Sequence, residues 1–87
     1  MMEMVAQGVE DVHLQLQCID EQIMLLLEQR FETLRGFVLG TRKVMQDYPG
    51  SAERIDRSPF GELCKEIFHK VDDAAIKHQK SVLKDIS

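Results

Sequence analysis

The stretch VHLQLQCIDEQIMLLLEQRFETLRGFVLGTRKV, running from Val12 to Val44, decides the fold. Along it, Val12, Leu16, Ile19, Ile23, Leu26, Arg30, Leu34, Phe37, Thr41 and Val44 follow one another at steps of three and four residues. That spacing keeps the whole row on one face of an α-helix. All but Arg30 and Thr41 are apolar, so the row calls for burial. Burying an unpaired guanidinium costs several kcal/mol or more. Arg30 therefore needs an internal carboxylate, a partner subunit or an anionic ligand.

Working outward, Glu10 and Asp11 suit the N-terminus of this helix, and Arg42 and Lys43 suit its C-terminus, by the sign of the helix dipole. The spacing predicts a first helix over about 9–46. Gly36 and Gly40 lie inside it and weaken it by roughly 1 kcal/mol each relative to alanine. They also leave room for another backbone. Tyr48-Pro49-Gly50-Ser51 is a turn signal. With Ala52 to Arg57 it makes a connecting segment, turn or short helix, over 47–57. Ser58-Pro59 reads as an N-cap followed by proline at the first helical position. A second long helix is expected over about 58–84, with Phe60, Cys64, Ile67, Val71, Ala74 or Ala75, His78 and Val82 facing inward. The β-branched residues never alternate, so the fold class is all-α, in a single domain.

A helix of about 35 residues is about 50 Å long, whereas a compact chain of this size has a radius of gyration of only about 12 Å. The second helix cannot cover the whole row on the first. Near-heptad spacing favours pairing with another long helix. A homodimer in which two long helices cover each other satisfies both points. A helix broken at Gly36 or Gly40 and folded into a monomeric bundle is the alternative.

Bulk properties narrow the field. The chain has 87 residues, 44% apolar and 30% charged, which is ordinary globular composition. Its net charge of −4 and pI near 5.3 speak against a nucleic-acid partner. Lys77, Lys80 and Lys84 read as a solvated helix end. Met1 to Gln7 lacks the basic and apolar regions of a signal peptide. Ile23 to Leu27 is too short an apolar run to span a membrane. Cys18 and Cys64, both among apolar residues, read as reduced buried thiols of a cytoplasmic protein.

Few residues point to chemistry. Arg30 could pair internally with Glu28, Glu32 or Glu62, or aim its fork at a ligand carboxylate. His13 and Asp20 form a polar row beside the apolar one, which any amphipathic helix shows. Gln79 shares a face with Phe68, Val71, Ala75 and Val82. Its amide could bond a backbone group or donate to a ligand oxygen. Glu66 and His69 have the spacing of a helical di-iron motif, but the second such pair is missing, so no metal is expected. Phosphate loops and nucleophile elbows are absent, and no cofactor is implied.

Two segments together suggest a family. Cys18-Ile-Asp-Glu-Gln-Ile-Met-Leu-Leu-Leu-Glu-Gln-Arg30 resembles the first-helix signature of the all-helical class of chorismate mutases. Ser58-Pro-Phe-Gly-Glu-Leu-Cys-Lys-Glu-Ile-Phe68 is similar to the start of that family's last helix, and Phe68, Val71, Ala75 and Gln79 follow its pattern. The resemblance spans about Val12 to Gln79 and implies an intertwined helical dimer. It also implies rearrangement of chorismate to prephenate, in aromatic amino acid biosynthesis on the shikimate pathway, without cofactor. Arg30 would hold a carboxylate of the dianionic substrate, and Gln79 would donate to the ether oxygen, where negative charge grows in the transition state. His13 stands where the family has an arginine, Thr41 where it has the catalytic lysine, and Ala75 where it has a serine. The middle helix is shortened. Arg57 and Arg42 are the cations available to compensate. Two function classes follow. One is a weak chorismate mutase. The other is a catalytically degenerate relative, acting as a dimerisation, ligand-sensing or regulatory module for a partner enzyme.

Overall fold

The computed structural model describes residues 8–46, 48 and 52–87. Three helices account for most of them: α1 (Val9–Thr41), α2 (Ala52–Asp56) and α3 (Gly61–Ile86). No strand occurs among the described residues. None of the helices is long and apolar enough to cross a membrane. The chain divides into two compact units, Met1–Arg30 and Phe31–Ser87.

Within the first unit, Gly8 takes a left-handed φ of 85° and its carbonyl accepts the N–H of Val12. Glu10 and Asp11 occupy the first turn of α1, where the dipole favours them. The apolar row then runs open to solvent. Val12, Leu16, Ile19, Ile23 and Leu26 are 48–61% exposed, and within this unit Arg30 is the one member of the row that is half-buried. Leu14, Met24 and Leu25, on other faces of the helix, are exposed as well. Cys18 is an exposed free thiol, not the buried one its neighbours suggest.

Burial begins in the second unit. Leu34 and Phe37 are half-buried and Val38 is fully buried. The spacing places the end of α1 near residue 46; it falls at Thr41 instead. Arg42 adopts a left-handed φ of 61°, and its N–H reaches back to the carbonyl of Val38 at 2.7 Å. This is the single 5→1 bond of an αL cap. The Thr41 hydroxyl seals the turn, donating to the Phe37 carbonyl at 2.8 Å and accepting the N–H of Lys43 at 3.1 Å. A glycine would make this turn without steric cost, yet Gly40 lies two residues too early and stays helical. The Tyr48-Pro49-Gly50-Ser51 turn falls largely outside the described residues, which omit 47 and 49–51.

The last helix begins three residues later than Ser58-Pro59 suggests. Arg57 and Ser58 donate to the carbonyls of Arg54 and Ile55, so Ser58 closes α2 instead of opening α3. Its hydroxyl then accepts the N–H of Phe60, and its carbonyl accepts that of Gly61. Gly61 packs so closely under α2 that a Cβ there would stand 2.6 Å from the Ile55 carbonyl oxygen. At its far end α3 runs to Ile86, where the Ser87 hydroxyl donates to the carbonyls of Leu83 and Lys84.

The inward face of α3 follows most of the expected row and departs from it at Phe60 and Ile67. Cys64, Phe68, Val71, His78 and Val82 are half-buried and Ala75 and Gln79 buried, whereas Phe60 and Ile67 are more than half exposed and Ala74 is exposed. The face follows the row that contains Gln79, because that is where α3 meets the segment after α1. Phe31 and His78 pack edge to face with ring centres 5.6 Å apart.

Candidate functional site

Gln79 is the centre of the second unit. It is fully buried, and its amide pairs with both polar groups of one peptide residue. The Met45 N–H donates to Gln79 Oε1 at 2.7 Å, and Gln79 Nε2 donates to the Met45 carbonyl at 3.0 Å. The amide thus stands in for a neighbouring backbone strand, offering one donor and one acceptor to a segment that has left helical pairing. Of its two alternatives, a backbone bond or a ligand oxygen, the chain uses the first.

Why this pairing forms is local. The αL turn at Arg42 redirects the chain from α1 towards the C-terminal half of α3. Val44 is half-buried there, and Met45 lies against Gln79. The Arg42 guanidinium donates to the Ile86 carbonyl at 3.0 Å, where the negative end of the α3 dipole favours a cation. Segment 42–46 is therefore held to α3 at two points.

Of the expected site residues, the structure gathers Arg42, Ala75 and Gln79 in this region. Thr41 is exposed at the end of α1, spent on its own cap. Arg57 is exposed at the end of α2, next to the start of α3. Gln79 lies eighteen residues beyond Gly61 on that helix, about 27 Å at ~1.5 Å per residue. Arg57 and Gln79 do not meet within one chain. Arg30 and His13 belong to the first unit: His13 is exposed, and Arg30 is half-buried and has an interaction partner within the chain. Glu66 and His69 line a shallow, open hollow on α3 with Glu62, Leu63 and Lys65. Among the described residues, no group of three or more histidines, cysteines or acids is arranged to hold a metal ion.

Met45 is the participant that sequence reasoning missed. It contributes only its peptide groups, and nothing in a side chain signals that its backbone will be the partner of an amide far along the chain. No protein-family model, curated protein or solved structure matches the chain.

Proposed function

We propose that this chain is a helical self-association module. It pairs with a second copy through the face of α1 formed by Val12, Leu16, Ile19, Ile23 and Leu26. One observation carries the reading: that face is about half exposed at every position, at heptad spacing, over a helix that is otherwise regular. Scattered exposed apolar residues are ordinary, but a contiguous apolar stripe marks a surface that meets another molecule. Near-heptad spacing fits that surface to a helix with the same spacing.

Support for the non-catalytic class comes from Gln79. Donation to a ligand oxygen would require its buried amide to leave Met45, stranding a backbone N–H and carbonyl that now satisfy each other. The second reading is the rearrangement of chorismate to prephenate, and Arg30 favours it: a half-buried guanidinium at the end of an apolar row suits a carboxylate ligand. Under the first reading, sedimentation of the full chain gives a dimer at micromolar concentration, and Ile19→Lys with Ile23→Lys shifts it to monomer. A wild-type monomer sinks the proposal. Chorismate consumption followed by ultraviolet absorbance, absent in the wild type at high concentration, removes the second reading. Consumption that vanishes in Arg30→Ala establishes it.

A further inference from the structure

Segment 42–46 leaves α1 without a sequence reason to do so. No glycine or proline stands between Thr41 and Tyr48, and Arg42, Lys43, Met45 and Gln46 are all good helix formers. Winding the segment on would also keep its apolar residues on the side that α1 buries. Val44 lies seven residues after half-buried Phe37, and Met45 lies seven after fully buried Val38, a repeat that returns to nearly the same face. As the chain stands, Met45 is exposed. The stop is made at Arg42, whose φ of 61° is a conformation that a residue with a Cβ rarely adopts. A helix that halts before its periodicity ends, and at an unfavourable residue, is held there by contacts elsewhere.

Those contacts are with α3: the paired bonds between Gln79 and Met45, and the bond from the Arg42 guanidinium to the Ile86 carbonyl. We propose that segment 42–46 is a two-state strap. It is docked on α3 in one state, and in the other it is wound onto α1 as one further turn to Gln46, which uncovers Gln79. The backbone is satisfied in both. Docked, the Lys43 N–H donates to Thr41 Oγ1 and the Met45 N–H to Gln79 Oε1. Wound, the N–H groups of Lys43, Val44, Met45 and Gln46 reach the carbonyls of Leu39, Gly40, Thr41 and Arg42, four residues back. The Met45 carbonyl then lies in the last turn, where water accepts the role of partner. The Thr41 hydroxyl keeps its bond to the Phe37 carbonyl in either state, because that bond already spans four residues along the helix. Lifting the strap therefore need not strand the peptide groups of Met45. Pro49 limits the extension, since the residue before a proline is turned away from helical geometry.

The exchange sets comparable terms against each other. Docking has the amide pair, the guanidinium bond and the partial burial of Val44. Winding has four helical hydrogen bonds and release of Arg42 from its left-handed turn. Between two states so matched, a modest bias shifts the population. The consequence falls on Gln79. Docked, its amide is committed to the chain's own backbone. Wound, it presents a free donor and a free acceptor on a face shared with Ala75, four residues before it, and Val82, three after. The strap is thus an autoinhibitory contact over the one fully buried polar side chain among the described residues. This inference does not depend on self-association, because the strap and its anchors all lie within the Phe31–Ser87 unit.

Carbon-13 shifts of the Cα atoms of residues 42–46, measured on the full chain, distinguish the two states. Arg42→Ala removes the guanidinium bond and puts a strong helix former where the left-handed turn is made. Its shifts are expected to move towards helical values across the whole segment. Gln79→Leu removes the other anchor and is expected to move them the same way. Arg42→Gly gives up the guanidinium as alanine does, but takes a φ of 61° without steric cost and disfavours helix. Its shifts should stay at the wild-type, non-helical values. Random-coil shifts in Arg42→Ala or in a folded Gln79→Leu overturn the proposal, because the strap is then released without winding. So do shifts in Arg42→Ala that match those of Arg42→Gly, since the turn would then not be what opposes the helix. Should Gln79→Leu fail to fold, the Arg42 pair decides alone.

Discussion

Gln79 shows how one side chain can have two plausible employments and be committed to one. A buried amide with both groups paired is stabilising, and the same amide with a partner removed is not. Net hydrogen bonds contribute about 1 kcal/mol each, while stranding a buried donor or acceptor costs about 1–3 kcal/mol. Gln79→Leu is therefore expected to lower stability by about 2–3 kcal/mol in urea titration. Gln79→Glu makes the claim sharper. A neutral carboxylic acid can donate to the Met45 carbonyl and accept its N–H, whereas a carboxylate cannot donate. The folded state thus favours the protonated form and raises the carboxyl's affinity for its proton above that in the unfolded chain. A raised folded-state pKa gives stability that is fully present below the unfolded value and is lost as pH rises through the folded one. Gln79→Glu should approach wild-type stability near pH 4 and fall clearly below it at pH 7.5. Equal deficits at both pH values would refute the pairing.

Among the helices, existence was legible and ends were not. The three-and-four spacing of the Val12 to Val44 row predicts α1, and Ser58-Pro59 marks the region in which α3 begins. The termini depend on backbone events that no residue type announces. Arg42, not Gly40, takes the left-handed turn, and Ser58 is drawn into the end of α2 by its N–H. The row is too long for the second helix to cover, and the single chain half-buries only Arg30, Leu34, Phe37 and Val44 of it. The inward face of α3 departs from the expected row at Phe60 and Ile67, while Ala75, one of two residues open at its position, is buried; Met45, which pairs with that face, is a peptide unit with no side-chain signature. For the same reason Gln79 could be picked out as a polar residue on an apolar face while its partner could not. The glycines give a test at this scale. Gly36 and Gly40 have nothing within 4 Å of an added Cβ. Gly36→Ala and Gly40→Ala should each raise stability by about 0.5–1 kcal/mol, as for glycine inside any helix. A loss instead would place a second backbone against them. Gly61 differs, because its Cβ would collide with the Ile55 carbonyl. Gly61→Ala should cost about 1–3 kcal/mol, the range for overpacking, despite alanine's better helix propensity.

Taken whole, the molecule concentrates its burial in one unit. Among the described residues only Val38, Ala75 and Gln79 are buried, and all three lie between Phe31 and Ser87. A chain this short has little apolar surface to spare, yet residues 9–30 hold a regular helix with its apolar row uncovered. The two units are therefore expected to answer differently to protein concentration. Amides of α1 from Val12 to Leu26 should gain protection from deuterium exchange as the chain is concentrated, because association suppresses local opening. Protection that does not change with concentration would argue against pairing. The Met45 amide is the natural comparison. It sits outside every helix, where exchange is ordinarily fast, but its hydrogen is held by a side chain that solvent does not reach. It can be labelled only when Gln79 lets go, which requires segment 42–46 to lift from α3. A single slow peptide hydrogen in a non-helical segment thus becomes an internal clock for the opening of the Phe31–Ser87 unit, readable in the same spectrum that reports on the helix before it.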